Sequence, residues 1–133
     1  MVSTACANGK GNLPLQGIRI IDVSHIVAGP FSCSILGDFG AEVIKVEPPG
    51  KGERGREVAP FVEGTNSHVS AFFGTVNRNR RGIVLDLKST SGKGVFRRLV
   101  KVADVVFENF APGTMQRLGL GYEALRDINP RLI

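Results

Sequence analysis

Two strand-like runs joined by one helix-length segment restrict this chain more than any other feature. Residues 17–24, GIRIIDVS, are apolar or β-branched at nearly every position, and residues 42–47, EVIKVE, form a second short strand pattern. A run that is apolar on consecutive positions belongs to a strand buried on both faces, which is the habit of parallel sheets. Between the two, Pro30 suits the opening of a helix, and Phe31, Ile35, Leu36 and Phe39 fall on one helical stripe. Gly40 is placed to end that helix in the left-handed conformation, and Pro48-Pro49-Gly50 stops the second strand. Strand, helix and strand with tight turns make a βαβ unit, whose crossover is right-handed.

The rest of the chain continues the alternation. Lys51 to Thr65 is polar, glycine-containing and basic, and reads as a loop; Asn66 to Val76 reads as a short helix with Val69, Phe72, Phe73 and Val76 on one side. A basic turn, NRNRRG at 77–82, precedes a strand at 83–87. Ser89 or Thr90 caps a helix reaching about Val102, with Val95, Leu99 and Val102 inward and Lys93, Arg97, Arg98 and Lys101 outward. A strand at 104–108, a turn at 109–113 into a short helix, and a helix at 122–128 follow, and Arg131-Leu132-Ile133 reads as the start of another strand. The fold class is α/β, a parallel sheet with flanking helices. Residues 1–14 read as a flexible tail, and residues 15–133 as the front part of a larger domain, because a parallel sheet needs a completed strand order.

Composition excludes several classes. With 42% hydrophobic and 22% charged residues the chain is globular, and 133 residues suit a single core. No apolar run approaches the roughly 18–20 residues of a membrane span, and the first fourteen residues resemble neither a secretory signal nor a transit peptide. Cys6 and Cys33 make no CxxC pair and too few bridges for a disulfide framework, which points to a reducing, intracellular setting. Cys33, one turn into a helix, reads as a buried structural thiol. The net charge of +5 suits a polyanionic partner, whether nucleic acid, membrane surface or a phosphorylated small molecule, without choosing among them.

Ligands of open α/β sheets bind where the carboxyl ends of strands run into helix N-termini. Residues 25–30, 48–56, 87–88 and 109–113 are such places. Ala28 and Gly29 would let a ligand approach the backbone closely. Glu47 stands about twenty residues past the first turn, as the ribose-binding acid of dinucleotide folds does. However, HIVAGP carries one glycine where G-x-G-x-x-G needs three, and a nicotinamide dinucleotide is set aside. His25 and His68 are the only histidines, with no spacing that supports a metal site, and Ser32 and Ser34 form no nucleophile elbow. His25 reads either as a base or as a hydrogen-bonded turn residue. Arg78, Arg80 and Arg81 read either as phosphate contacts or as a solvated turn.

Five segments in order, AGP, LGDFGAEVIKVEPPGKGE, NRNRRGIVLDLK, ADVVFENFAPGTMQRLGLGYEAL and NPRLI, resemble the N-terminal part of class III (CaiB/BaiF-type) CoA-transferases. The resemblance covers about Leu15 to Ile133. It implies a Rossmann-like domain over which an acyl-CoA lies as substrate, with no tightly bound cofactor, and a homodimer of two elongated, interlocked chains. It also implies transfer of CoA to a carboxylic acid through an enzyme aspartyl anhydride and an aspartyl-CoA thioester. Carried over by the resemblance, Ile26, Val27 and Ala28 line the adenine and pantetheine path, and Leu85 and Lys88 meet the nucleotide end. Asn109, Phe110 and Ala111 lie along the CoA, and Arg117 pairs with phosphate. For Leu85 and Phe110, plain packing remains an equal reading.

Two departures stand out. Many relatives carry Arg where this chain has Pro48, and Lys51 or Arg54 is the candidate to compensate. The family's catalytic aspartate lies beyond the NPRLI segment, and none of Asp22, Asp38, Asp86, Asp104 or Asp127 matches it, so no catalytic residue is nominated and the 133 residues alone are expected to be inactive. A CoA-ester racemase of the same superfamily, or a non-catalytic CoA- or nucleic-acid-binding module, are the alternatives. Neither nucleic acid nor membrane is the expected partner, and the expected compartment is the cytoplasm, with mitochondrion and peroxisome left open.

Overall fold

A computed structural model describes residues 13–62 and 69–133. The chain runs β1 (Arg19–Asp22), α1 (Ala28–Asp38), β2 (Glu42–Glu47), a 3-10 turn (Arg54–Glu57), β3 (Phe61–Val62), β4 (Val69–Ser70), α2 (Ala71–Val76), β5 (Arg81–Val84), α3 (Thr90–Val100), β6 (Val105–Phe107), α4 (Thr114–Arg117) and α5 (Tyr122–Arg126). Four strands form one sheet in the order β5-β2-β1-β6, and every neighbouring pair is parallel. Ile21 stands beside Ile44 on one flank and Val106 on the other. The chain moves outward from β1 through β2 to β5, and α3 then carries it back across to β6. The strand order therefore reverses between β1 and β6, which is where sheets of this kind open a crevice.

Strand pleating gives the sheet two different faces. Ile21, Val23 and Val46 pack with Phe96 and Val100 of α3, Met115 of α4 and Leu125 of α5 in an apolar core. On the other face Ile20 and Val43 pack with Cys33 of α1, but the next positions along the same strands, Asp22 and Lys45, are also buried.

α1 overturns the expected stripe. Phe31, Ile35 and Phe39 are 46%, 36% and 50% exposed, whereas Gly29, Pro30, Cys33, Ser34 and Gly37 face the sheet. The helix lies too close for large side chains: a β-carbon at Gly29 would fall 2.2 Å from Ser24 Cβ. Gly40 ends α1 with φ +103°, as the sequence predicted, and a β-carbon there would strike Leu13. In α3 the Ser89 hydroxyl accepts the Gly92 N–H at 3.0 Å, the predicted cap. Its buried residues are Gly92, Phe96 and Val100, with Leu99 packed against the same core as expected, whereas Val102 lies past the helix end, 57% exposed.

The 51–65 loop and 66–76 helix are also revised. The loop holds a 3-10 turn and β3, and Val69–Ser70 pairs with β3 before a shorter helix begins at Ala71. The Ser70 hydroxyl accepts the Phe73 N–H at 3.0 Å and so caps α2. Residues 1–12 of the expected tail, and 63–68 with His68, lie outside the described residues. β5 begins at Arg81 rather than Ile83 because Arg81 and Gly82 already pair with Ile44 and Lys45. Ile133 accepts the Val106 N–H and donates to Asp104 O, the alternation of a parallel strand beside β6. No helix among the described residues is long and apolar enough to cross a membrane.

Candidate functional site

Residues 24–28 cross the carboxyl end of the sheet between β1 and α1, and the Ser24, His25 and Ile26 backbone is held from outside this turn. Asn109, just past β6, accepts the His25 N–H through Oδ1 at 2.8 Å and donates Nδ2 to His25 O at 2.9 Å. Those two bonds fasten the β6 turn to the β1 turn across the reversal. Ile26 is left-handed, with φ +69°, a conformation that a β-branched residue adopts only when its surroundings impose it. Its N–H donates to Glu53 Oε2 at 2.9 Å, and Glu53 is fully buried.

Glu53 is itself anchored. Its own N–H donates to Glu47 Oε2 at 3.0 Å, and Arg56 grips both Glu47 oxygens at 2.6 and 2.7 Å. The Arg56 guanidinium also stacks 3.9 Å from the Phe73 ring centre. Burial alone would raise the Glu47 carboxyl, but the Arg56 hydrogen bond, the Glu53 N–H and the charges of Arg56 and Lys45 outweigh it and hold it below the usual carboxylate range. Glu53 moves the same way: burial opposes ionisation, and the contacts with His25, Ile26 N–H and Gly55 N–H overcome it. The Glu47 side chain is thus occupied by Arg56 and the Glu53 N–H.

Beneath the turn lies a charge network that the residue pattern did not reveal. Asp22 accepts the Ser24 N–H at 2.8 Å and the Ser24 hydroxyl through Oδ1, while Oδ2 faces Lys45 Nζ at 3.3 Å and Arg80 Nη1. Lys45 donates to Ser24 O at 2.5 Å, and Arg80 donates to Pro30 O at 2.6 Å and Ser34 Oγ at 2.7 Å. The network therefore grips the backbone on both sides of the turn. It also divides the basic segment: Arg80 is buried on Asp22, whereas Arg78 and Arg81 pair with Asp38 and Glu42 while remaining 44% and 72% exposed, as a solvated turn would have them. Cys33, beside Asp22, is fully buried, and burial first and the Asp22 charge second push its thiol up to about 12, which leaves it inert as a nucleophile.

Above the turn two clefts adjoin. One, of about 550 Å³, is lined by Ile26, Val27, Ala28, Asn109, Phe110 and Ala111, with Arg54 at its edge. The other, of about 230 Å³, is lined by Leu85, Lys88, Phe110 and Pro48 among others, and His25, Phe110 and Thr114 border both. The His25 and Phe110 rings meet with centres 5.1 Å apart. Eight of the nine residues predicted from the sequence thus come together here. Arg117 lines neither cleft, but its Nη2 donates to Thr114 Oγ1 at 2.9 Å and brings its charge to the shared wall. Asp86 and Glu108 turn their oxygens to the N–H groups of Lys88 and Phe110, leaving Arg54, Lys88 and Arg117 as the cations around the opening. Of the two candidates to compensate for Pro48, Arg54 lines the first cleft, while Lys51 pairs with Glu57 at 2.6 Å and borders a separate groove of about 690 Å³. Glu53 and Thr114 are the site residues that sequence reasoning missed: neither residue type nor spacing marked them. No metal-binding group of acids, histidines and cysteines exists among the described residues.

The family model for CoA-transferase family III matches residues 15–133. The chain belongs to that family. It is 46% identical to the acetyl-CoA:oxalate CoA-transferase of Acetobacter aceti over 133 residues, covering 100% of this chain and 33% of that protein. It is 42% identical to the human succinyl-CoA:glutarate CoA-transferase over 120 residues, covering 90% of this chain and 27% of that protein. Among solved structures, a CaiB/BaiF family protein from Brucella suis superposes with a TM-score of 0.85 at 42% identity, covering 92% of this chain and 32% of that one. A Mycobacterium tuberculosis protein gives a TM-score of 0.82 at 44% identity, covering 90% and 33%. This family III chain therefore spans about a third of the length of these relatives.

Proposed function

We propose that this chain forms the CoA-binding part of a CoA-transferase that moves CoA from an acyl-CoA to a carboxylic acid. One observation carries the reading: the two clefts above the β1 and β6 turns share a wall of His25, Phe110 and Thr114, so a long, jointed ligand could cross from one to the other. In this reading Ile26, Val27, Ala28, Asn109, Phe110 and Ala111 flank the pantetheine and adenine path. Leu85 supports the nucleotide end, and Lys88 and Arg117 face its phosphates. Arg54 takes up the position left uncharged by Pro48.

The transfer chemistry needs a carboxylate nucleophile: it attacks the acyl-CoA and expels CoA thiolate to form an anhydride, and the thiolate then attacks the enzyme carbonyl and expels the donor acid, leaving an enzyme thioester. The acceptor carboxylate attacks that thioester and again expels thiolate, which attacks the acceptor carbonyl of the new anhydride and frees the enzyme carboxylate. Three of the described aspartates are poor candidates. Asp22 is fully engaged by Lys45 and Arg80, Asp38 by Arg78, and Asp104 by the Arg19 N–H at 2.8 Å. We place the nucleophile in the further length that the relatives have, and the homodimer belongs to the same proposal.

Calorimetry with CoA, dephospho-CoA and a short DNA duplex tests the reading. CoA should bind more tightly than dephospho-CoA, and Lys88→Ala or Arg117→Ala should each weaken CoA by about five- to tenfold, roughly 1–1.4 kcal/mol. Tighter binding of the duplex with a steep salt dependence would overturn it. The 133-residue chain, mixed with acyl-CoA and an acceptor acid, should give no transfer.

A further inference from the structure

We propose that Glu53 is a positioning residue for the cleft: its buried carboxylate holds Ile26 in the left-handed conformation and so fixes the turn against which the ligand lies. The inference rests on the CoA reading above for its affinity readout, and on the geometry alone for its structural one.

Ile26 and Asn79 are the non-glycine residues with positive φ among those described, at +69° and +57°. Asn adopts that region readily because its side chain bonds locally, whereas a β-branched residue crowds its own backbone there. Something outside Ile26 must therefore impose the conformation, and a single acceptor meets its N–H, Glu53 Oε2 at 2.9 Å. The acceptor is immobile. Glu53 is 0% exposed, its own N–H is fixed on Glu47 Oε2 at 3.0 Å, and Glu47 is clamped by Arg56. Behind it, a β-carbon at Gly55 would fall 2.3 Å from Glu53 Oε1, so only glycine leaves room for the carboxylate. The loop that follows β2 thus reaches over the sheet edge and sets one residue of the β1 turn. Val27 and Ala28, next in the chain, line the cleft together with Ile26. Loss of the acceptor would let Ile26 leave positive φ and shift this wall.

The test is a cycle of Glu53→Ala and Ile26→Gly, since glycine adopts positive φ without strain and needs no carboxylate to hold it. Hydrogen exchange of backbone amides in the ligand-free chain is read first. In Glu53→Ala the Ile26 amide should exchange at least about tenfold faster, while Ile21 and Val43 in the sheet stay protected. CoA affinity, by calorimetry, should fall about tenfold in Glu53→Ala, corresponding to roughly 1.4 kcal/mol. In the Ile26→Gly background the same substitution should cost less than about threefold, because the conformation no longer needs imposing. Unchanged Ile26 exchange in Glu53→Ala overturns the proposal, as does an equal affinity loss in both backgrounds. Loss of sheet protection together with the Ile26 amide would also overturn it, by making Glu53 a general stabiliser. If the unsubstituted chain fails to bind CoA, the CoA reading falls, and the exchange measurement still decides the role of Glu53.

Discussion

The two faces of the sheet are built from the same strands by opposite means. Toward α3, Ile21, Val23 and Val46 meet Phe96, Val100, Met115 and Leu125 in a dry core held by packing. Toward α1, the alternate positions Asp22, Lys45 and Glu47 carry buried charge, satisfied by Arg80, Arg56, Ser24 and backbone groups. Area burial is non-directional, so the dry face can hold the helices on without specifying any one turn. Directional ion pairs can specify backbone geometry, and on this face they end on the Ser24, Ile26 and Pro30 backbone. The turn that lines the first cleft is held by this directional face, whereas the second cleft is lined by Val23 and Val46 of the dry face.

Removing Asp22 should break this contrast most severely. Asp22→Ala leaves two buried cations unbalanced and should cost toward the upper end of about 3–5 kcal/mol in urea unfolding. Adding Lys45→Met and Arg80→Met to it should recover much of that loss, since replacing a whole buried ion set by apolar groups is often nearly neutral. Failure to recover stability would mean that the network contributes through more than its charge balance.

Phe96→Ala, on the dry face, should cost somewhat less, about 3–4 kcal/mol, from transfer and cavity together. Its loss should add to that of Asp22→Ala within about 0.5 kcal/mol, because the sheet lies between them. A strong coupling would show that the faces are not independent.

The smallest effect is the pH dependence. Glu47 and Glu53 titrate below the ordinary 4.5 in the folded chain, so folding favours their ionised forms. The stability they contribute is fully present above about pH 4.5, and is lost as pH falls through the lower folded values. The urea midpoint should therefore decline on acidification below that range, and Glu53→Gln should flatten the decline. Phe96→Ala should shift the whole curve down without changing its shape. An unchanged slope in Glu53→Gln would remove Glu53 as a source of the pH dependence.

Much of the scaffold could be read from local pattern. The βαβ opening, the Ser89 cap and the Gly40 helix stop rest on signals within a few residues of one another. The cleft wall was legible as well, but through the resemblance of five ordered segments rather than through any single motif. α1 misled because periodicity marks an apolar stripe without telling which way it faces. Here close approach to the sheet demanded Gly29, Cys33, Ser34 and Gly37 on the inside, and Phe31, Ile35 and Phe39 went outward. The NRNRRG segment misled for a similar reason, since its charges looked unpaired until Asp22, Asp38 and Glu42 came alongside.

By itself, the sequence determined that the strands are parallel, that tight turns join them to helices, and that the carboxyl end of the sheet carries residues 25–28 and 109–111. Apolar periodicity and turn chemistry act over short stretches of chain, so they survive without knowledge of the fold. Only the tertiary structure decided that Arg80 and Lys45 converge on Asp22, that Asn109 grips His25, and that Glu53 holds Ile26. Those partners stand between 23 and 84 positions apart in the chain. Nothing local relates charges so far apart; the parallel register of β1, β2 and β6 and the return of the loop after β2 bring them together.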